Sequence, residues 1–288
     1  MNLTLQLLME EGTQALLKAG VEEASLDSRY LLLEAFHTDM THFLLDRNKR
    51  LPEEDSILES LSVYRSMIGK RSLRIPLHQI TGSREFMGLD FEVNEHVLIP
   101  RQDTETLVEL VLKDYKGKMP KILDLCTGSG CIAISLAKLG GFDRVTAADI
   151  SEEALLVAER NAGKHLGEGR ITLVKSDLFE AFKNQRTFDV IVSNPPYIPT
   201  KIIEGLQPEV RDHEPMLALD GKEDGLYFYR ILALESRSHM VLGGAVYFEI
   251  GYDQGEAVSG LLKDAGFGQI RVVPDAAGLD RVVCARKQ

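Results

Sequence analysis

The run Asn194-Pro195-Pro196-Tyr197-Ile198-Pro199 carries the sharpest chemical signal in this 288-residue chain. Two successive prolines fix the backbone φ angles and remove two N–H donors. The Pro195 carbonyl is then free to point into a site, and the Asn194 side-chain oxygen adds a second acceptor. Two acceptors held this way can grip both hydrogens of one –NH2 group, with the Tyr197 ring as a flat face beside it. An amide or exocyclic amine is a weak nucleophile because its lone pair is delocalised. Gripping both hydrogens favours rehybridisation and aims the lone pair at an electrophilic carbon. Positioning and electrostatic preorganisation of this kind contribute on the order of several kcal/mol. No base is required before attack, because the nitrogen's proton becomes acidic once the new bond has formed.

A second chemical segment is Asp124-Leu125-Cys126-Thr127-Gly128-Ser129-Gly130, which opens a helix. Gly128 and Gly130 let the backbone approach a ligand closely, and the helix start offers free N–H groups. Asp149 ends the next strand, where a carboxylate can take both hydroxyls of a ribose. Gly128-x-Gly130-x-x-Ala133 matches the loose nicotinamide-dinucleotide fingerprint. The layout also fits S-adenosylmethionine, and Asp124 favours this second cofactor. Its carboxylate would repel a pyrophosphate but attract an ammonium and a sulfonium. Ser176-Asp177-Leu178-Phe179 follows a third strand. Asp177 can either accept from an adenine amino group, with Leu178 or Phe179 over the ring, or simply cap a helix. Cys126 and Cys131 are expected to pack rather than to react. The seven histidines show no metal-ligand spacing, so no metal is expected.

The elements that must position these residues can be read in outline. Residues 1 to about 74 are helical. Leu5, Leu8, Ala15, Leu16 and Ala19 recur at helical spacing and Gly20 is a stop. Ser25 can cap a second helix carrying Leu26, Tyr30, Leu33 and Ala35. Pro52 suits the first turn of a further helix, with Glu53, Glu54 and Asp55 at its start and Lys70, Arg71 and Arg74 at its far end. Around Phe86-Met87-Gly88, with Leu89, Phe91 and Val93 alternating, a β-hairpin bridging two domains is expected. Strand candidates then follow at 121–126, 144–149, 170–175, 188–193, 244–250, 269–274 and 281–285, mostly with helices between. That alternation predicts a mostly parallel sheet covered on both faces, with ligands beyond the carboxyl ends of its strands.

Composition agrees with an ordinary globular protein: 44% hydrophobic and 27% charged residues, with a net charge of −11. An acidic chain has no global field drawing it onto phosphate backbones. Three cysteines without a Cys-x-x-Cys pair fit reduced thiols. The segment 1–20 lacks the pattern of a secretory signal, and no apolar run approaches the ~20 residues of a membrane span. A cytoplasmic protein is expected, monomeric, with no membrane contact and no direct nucleic-acid contact.

The loop 124–130 and Asn194-Pro195-Pro196-Tyr197 together resemble the class I S-adenosylmethionine-dependent methyltransferases that act on planar –NH2 groups. Within these, the chain is similar nearly end to end to the protein-(glutamine-N5) methyltransferases of peptide chain release factors. Leu98-Ile99-Pro100-Arg101-Gln102-Asp103-Thr104-Glu105 is the most specific segment. Ile80-Thr81-Gly82, Glu214-Pro215, Asp224-Gly225-Leu226, Glu249-Ile250-Gly251 with Gln254-Gly255, and Ala277-Gly278-Leu279-Asp280-Arg281 extend the match. Two positions depart from the family pattern: Cys126 stands where glycine is usual, and Gln102 where proline is usual. The cysteine is expected to narrow the approach to the methionine end of the cofactor.

The resemblance implies an α/β protein in three parts. A small all-α N-terminal domain (1–74) docks the substrate, a β-hairpin linker spans 75–103, and a Rossmann-like seven-stranded methyltransferase domain spans 104–288. It implies that Asp124, Cys126, Thr127, Gly128, Ser129, Gly130, Asp149, Asp177, Leu178 and Asn194 line the S-adenosylmethionine pocket. Asn194 and the Pro195 carbonyl would hold a glutamine amide of the release factor's Gly-Gly-Gln loop, Pro196 and Tyr197 would pack beside it, and Arg101 and Glu105 would help close the site. The rival readings are an adenine-N6 nucleic-acid methyltransferase sharing Asn-Pro-Pro-Tyr, a nicotinamide-dependent oxidoreductase, and a non-catalytic binding module.

Overall fold

The computed structural model describes residues 3–183 and 186–288, which divide into two compact units. One comprises residues 1–82 with 208–213, the other residues 83–207 with 214–288. The division therefore falls after Gly82 rather than after residue 74. The expected linker is split: its helical start joins the first unit and its hairpin joins the second.

The first unit is built from α1 (Leu5–Lys18), α2 (Ala24–Ala35), α3 (Met40–Asp46), α4 (Asp55–Ser72) and α5 (Leu77–Thr81). Thr4 caps α1 by accepting from the Leu7 N–H. Ser25 does not cap α2 but lies inside it, and Leu26 and Tyr30 are exposed. The buried face instead carries Asp27 and Ser28 beside Leu31 and Leu32. These polar residues are tolerated because each is paired: Arg71 donates to Asp27 (2.7 Å), and Ser28 bonds the Tyr64 hydroxyl (2.8 Å) and the Met9 carbonyl (2.7 Å). Pro52 and Glu53 precede α4, while Lys70 and Arg71 occupy its last turn as expected. Glu209, on the short turn α10 (Pro208–Arg211), bonds both Arg71 (2.8 Å) and Arg74 (2.6 Å). Those two guanidinium contacts bring 208–213 into this unit.

The second unit begins with the hairpin β1 (Ser83–Phe86) and β2 (Leu89–Glu92). Met87 and Gly88 turn it with φ of +53° and +72°, the left-handed pair of a tight hairpin turn. Seven strands then form one sheet: β3 (Ile122–Leu125), β4 (Val145–Asp149), β5 (Thr172–Lys175), β6 (Phe188–Ser193), β7 (Met240–Glu249), β8 (Phe267–Pro274) and β9 (Asp280–Lys287). Their order is β5-β4-β3-β6-β7-β9-β8, with β9 antiparallel to both its neighbours. All seven expected strands are present, though β7 and β8 start a few residues earlier than their apolar runs suggest.

The helices of this unit are α6 (Glu105–Asp114), α7 (Cys131–Gly140), α8 (Glu152–Leu166), the single turns α9 (Thr200–Ile203) and α11 (Met216–Leu219), α12 (Tyr227–His239) and α13 (Gly255–Asp264). Successive strand residues feed opposite faces. Ile122 joins the core beneath α6 and α7, whereas Leu123 and Leu125 join the core with α12 and α13. Because both faces are covered, β3 and β6 are apolar almost throughout. Chain order runs outward through β4 and β5 on one side of β3 and through β6 and β7 on the other. A crevice therefore opens at the carboxyl ends of β3 and β6.

Candidate active site

That crevice holds a cavity of about 330 Å³. The ends of four adjacent strands supply its walls: Cys126, Thr127, Gly128 and Ser129 after β3, Asp149 and Ile150 after β4, Ser176, Asp177 and Leu178 after β5, and Asn194 and Pro196 after β6. Arg101, Thr104, Pro215 and Phe228 are among the other lining residues. Four loops far apart in sequence thus converge on one volume, as the strand-end reading anticipates.

The glycine loop has an unusual backbone. Gly128 has φ of +54° and Gly130 +80°. A side chain on Gly130 would press on Ile134 and Ala158, whereas one on Gly128 would meet nothing within 4 Å. Gly128 therefore keeps the wall open to a ligand, and Gly130 lets α7 pack. Cys126 also has a positive φ, +60°, which explains why glycine suits that position and makes the cysteine strained. Its thiol is pushed well above the usual cysteine range, first by burial and then by the Asp149 charge, so it stays protonated.

Asp149 accepts from the Gly128 N–H (2.8 Å) and the Ser151 N–H (3.0 Å). Burial raises its pKa, while these backbone bonds draw it down. It lines the cavity, ties the glycine loop to β4 and keeps lone pairs for a diol. Asp124 is different from expectation. It is fully buried and absent from the lining. Its Oδ2 accepts from the Thr127 hydroxyl (2.6 Å) and the Ala133 N–H (3.2 Å), and burial pushes its carboxyl up to about 7. Asp124 sits inside β3, in register with Ala147 two residues before Asp149, so its side chain lies below the strand end and braces the loop from beneath instead of meeting a cationic ligand. Its Oδ1 is buried without a partner among the described residues.

Beyond β5, Asp177 and Leu178 line the cavity, whereas Phe179 stacks on His239 at 4.7 Å and takes no part. Beyond β6, Asn194 lines it, and its Nδ2 donates to the Thr104 hydroxyl at 3.3 Å. Pro195 is buried outside the lining, and Tyr197 also stands behind it. Burial pushes the Tyr197 phenol up to about 12. The loop is anchored from its far end: Gln254 Nε2 donates to the carbonyls of Tyr197 (3.0 Å) and Gly225 (3.4 Å).

Arg101 donates to Glu214 Oε2 (2.6 Å), and Glu214 Oε1 accepts from the Ile99 N–H (3.4 Å). This buried carboxylate fastens the segment before α6 to the segment before α11 at the cavity wall. Glu105 instead accepts from the Met87 N–H (2.6 Å) and holds the hairpin turn. Three contributors are not apparent from the sequence. Asn161 clasps the hairpin and the glycine loop, donating to the carbonyls of Glu92 (3.0 Å) and Ser129 (2.9 Å). Thr104 and Glu249 lie buried next to Asn194. A polar residue fully buried at a strand end or on a helix face is the signal, and it appears only with the fold.

The donor set fits S-adenosylmethionine. An open glycine wall, a carboxylate at the end of β4, and an acid with an apolar neighbour beyond β5 match its amino-acid portion, ribose and base. A family model described as "Methyltransferase small domain" matches residues 102–205, and one described as "PrmC N-terminal domain" matches residues 8–82. The release factor glutamine methyltransferase of Geobacter sulfurreducens is 42% identical over 271 residues, covering 94% of this chain and 92% of its own. That of Caulobacter vibrioides is 38% identical over 288 residues, covering 100% of this chain and 98% of its own. Among solved structures, a methyltransferase from Pyrococcus furiosus aligns over 78% of this chain and 98% of its own, with a TM-score of 0.52 at 19% identity, a likeness of fold.

Proposed function

The chain belongs to the release factor glutamine methyltransferase family, and from that premise we propose how its residues divide the work of the reaction. The enzyme methylates the side-chain amide nitrogen of a release-factor glutamine, using S-adenosylmethionine. The cofactor supplies an electrophilic methyl carbon on a sulfonium. Gly128, Ser129 and Asp149 hold its amino-acid and ribose portions, and Asp177 with Leu178 holds its base. Asn194 accepts one amide hydrogen of the glutamine in the Gly-Gly-Gln loop, and the Pro195 carbonyl, which lies outside the cavity lining in this structure, turns toward the bound amide to accept the other. Both contacts oppose delocalisation of the nitrogen lone pair and orient it for attack. Pro196 and Tyr197 keep this grip rigid, Arg101 braces the cavity wall through Glu214, and the amide proton leaves to solvent after transfer.

The observation that supports this division most directly is that Asn194 lines the same cavity as Gly128, Asp149 and Asp177. The helical unit docks the release factor. Its α3 leaves Leu44 and Leu45 52% and 70% exposed, apolar surface suited to a protein partner. The enzyme acts as a monomer in the cytoplasm and touches no nucleic acid, in keeping with its charge of −11. Among the described residues no helix is long and apolar enough to cross a membrane. Tritiated S-adenosylmethionine offered with either a release factor or duplex DNA tests the substrate class. Label is expected in the release factor, and label in DNA alone would overturn the reading.

A further inference from the structure

Thr104, itself part of the cavity lining, and the buried Glu249 stand next to Asn194. Ser193 on β6 pairs in register with Phe248 on β7, and Asn194 and Glu249 each stand one residue beyond that pair. The two side chains are therefore neighbours at the end of the sheet. Thr104, just before α6, is 2% exposed and Glu249 1%. Asn194 Nδ2 donates to Thr104 Oγ1 at 3.3 Å. Burial drives the Glu249 carboxyl up to about 7, and hydrogen bonding from the Thr104 hydroxyl, the Arg281 charge and the Asn194 side chain draw it down against that burial.

An asparagine amide is ambiguous by shape: rotated by half a turn it presents N–H where it had presented oxygen. The –NH2 grip works only with the oxygen outward. An ionised carboxylate accepts and never donates. Once Glu249 is ionised, a Thr104 hydroxyl turned toward it donates to it, which leaves the hydroxyl's lone pairs for the Asn194 N–H. We infer that Thr104 and Glu249 are positioning residues that hold the Asn194 amide with its nitrogen turned inward and its oxygen turned into the cavity. The inference rests on the reading of Asn194 as an acceptor for the substrate amide.

Stability does not account for Glu249. Its Oε2 is buried with no partner among the described residues, and Tyr229 bonds its backbone carbonyl (2.6 Å), not its carboxyl. A buried carboxylate so poorly satisfied weakens a fold. Glu249→Gln can donate or accept at the same place and so loses the directional constraint without losing volume. Thr104→Val removes the hydroxyl at constant shape, and Thr104→Ser restores it.

The test is kcat for release-factor methylation, alongside calorimetric binding of S-adenosylhomocysteine and the thermal midpoint. Thr104→Val and Glu249→Gln are each expected to lower kcat about 10- to 100-fold, with product affinity within about threefold of wild type. Thr104→Ser should stay within about threefold of wild-type kcat, and the double variant should be no worse than the poorer single, as befits one chain of bonds. The midpoint of Glu249→Gln should not fall. Wild-type kcat in both single variants would overturn the inference, as would kcat losses matched by equal losses of product binding and of midpoint. Wild-type kcat in Asn194→Ala would instead overturn the reading of Asn194 itself.

Discussion

The loops that follow β3 and β6 leave neighbouring strands at the same level of the sheet, with Leu125 and Ser193 paired in register, yet their chemistry is opposite. The first is glycine-rich, passes through positive φ at Cys126, Gly128 and Gly130, and leaves open space at Gly128. The second carries prolines at 195, 196 and 199, which fix its backbone and remove donors, so that oxygen atoms remain. One loop makes room for a ligand, and the other holds acceptors still for a reacting nitrogen. Their tolerance of change should differ accordingly. Altering the acceptor loop should strike turnover, and altering the glycine loop and its Asp149 anchor should strike cofactor affinity.

Asn194→Ala is expected to have the largest effect. Turnover should fall about 10²- to 10³-fold, the scale of losing one preorganised polar group, while S-adenosylhomocysteine binding stays within a few-fold by calorimetry. A large loss of affinity with little loss of kcat would reverse the assignment of the two loops. Asp149→Ala should do the opposite. Loss of a carboxylate that holds the Gly128 N–H and faces the cavity should weaken product binding about 10- to 100-fold, with kcat at saturating cofactor near wild type. An unchanged dissociation constant would move the ribose contact elsewhere.

Glu249 gives a pH signature behind the acceptor loop. Its carboxyl ionises near 4.5 when unperturbed and near 7 in the fold, chiefly through burial. The folded state therefore binds the proton more tightly than the unfolded chain. Stability from this group is complete below about pH 4.5 and is lost as pH rises through about 7. Arg281, Asp103, Asn194, Tyr197, Tyr229 and Cys131 surround or feel this carboxyl. The urea midpoint of Glu249→Gln should fall less between pH 5 and pH 8 than that of wild type, and parallel declines would show that the carboxyl is not buried as described. The smallest effect belongs to the glycine loop. Cys126→Gly relieves a left-handed residue at the cost of chain entropy, for a net gain of about 0.5–1 kcal/mol in denaturant unfolding, with product affinity equal or better. A loss of stability would mean that the cysteine side chain packs better than its backbone is strained.

The strand-end architecture was legible in the sequence because the buried parallel strands are apolar runs bounded by Gly, Pro and Asp. Gly128, Asp149, Asp177 and Asn194 could be placed at the carboxyl ends of those runs without coordinates, and they do meet in one cavity. Orientation was not legible. Asp124 lies one residue short of the end of β3 whereas Asp149 closes β4, so Asp124 bonds beneath the loop while Asp149 reaches the wall. The buried face of α2 escaped hydrophobic periodicity because Asp27 and Ser28 are satisfied by Arg71 and Tyr64, residues on α4. For the same reason, Thr104 and Glu249 become neighbours of Asn194 only when the fold sets the start of α6 and the end of β7 beside the end of β6.

If the division of roles holds, this cavity delivers a methyl group to one amide nitrogen of a protein. Mass spectrometry of a release factor incubated with the enzyme and S-adenosylmethionine tests it most directly. A single added methyl is expected on the side-chain nitrogen of the Gly-Gly-Gln glutamine, formed by wild type and not by Asn194→Ala. A methyl on any other residue, or equal modification by both proteins, would contradict it.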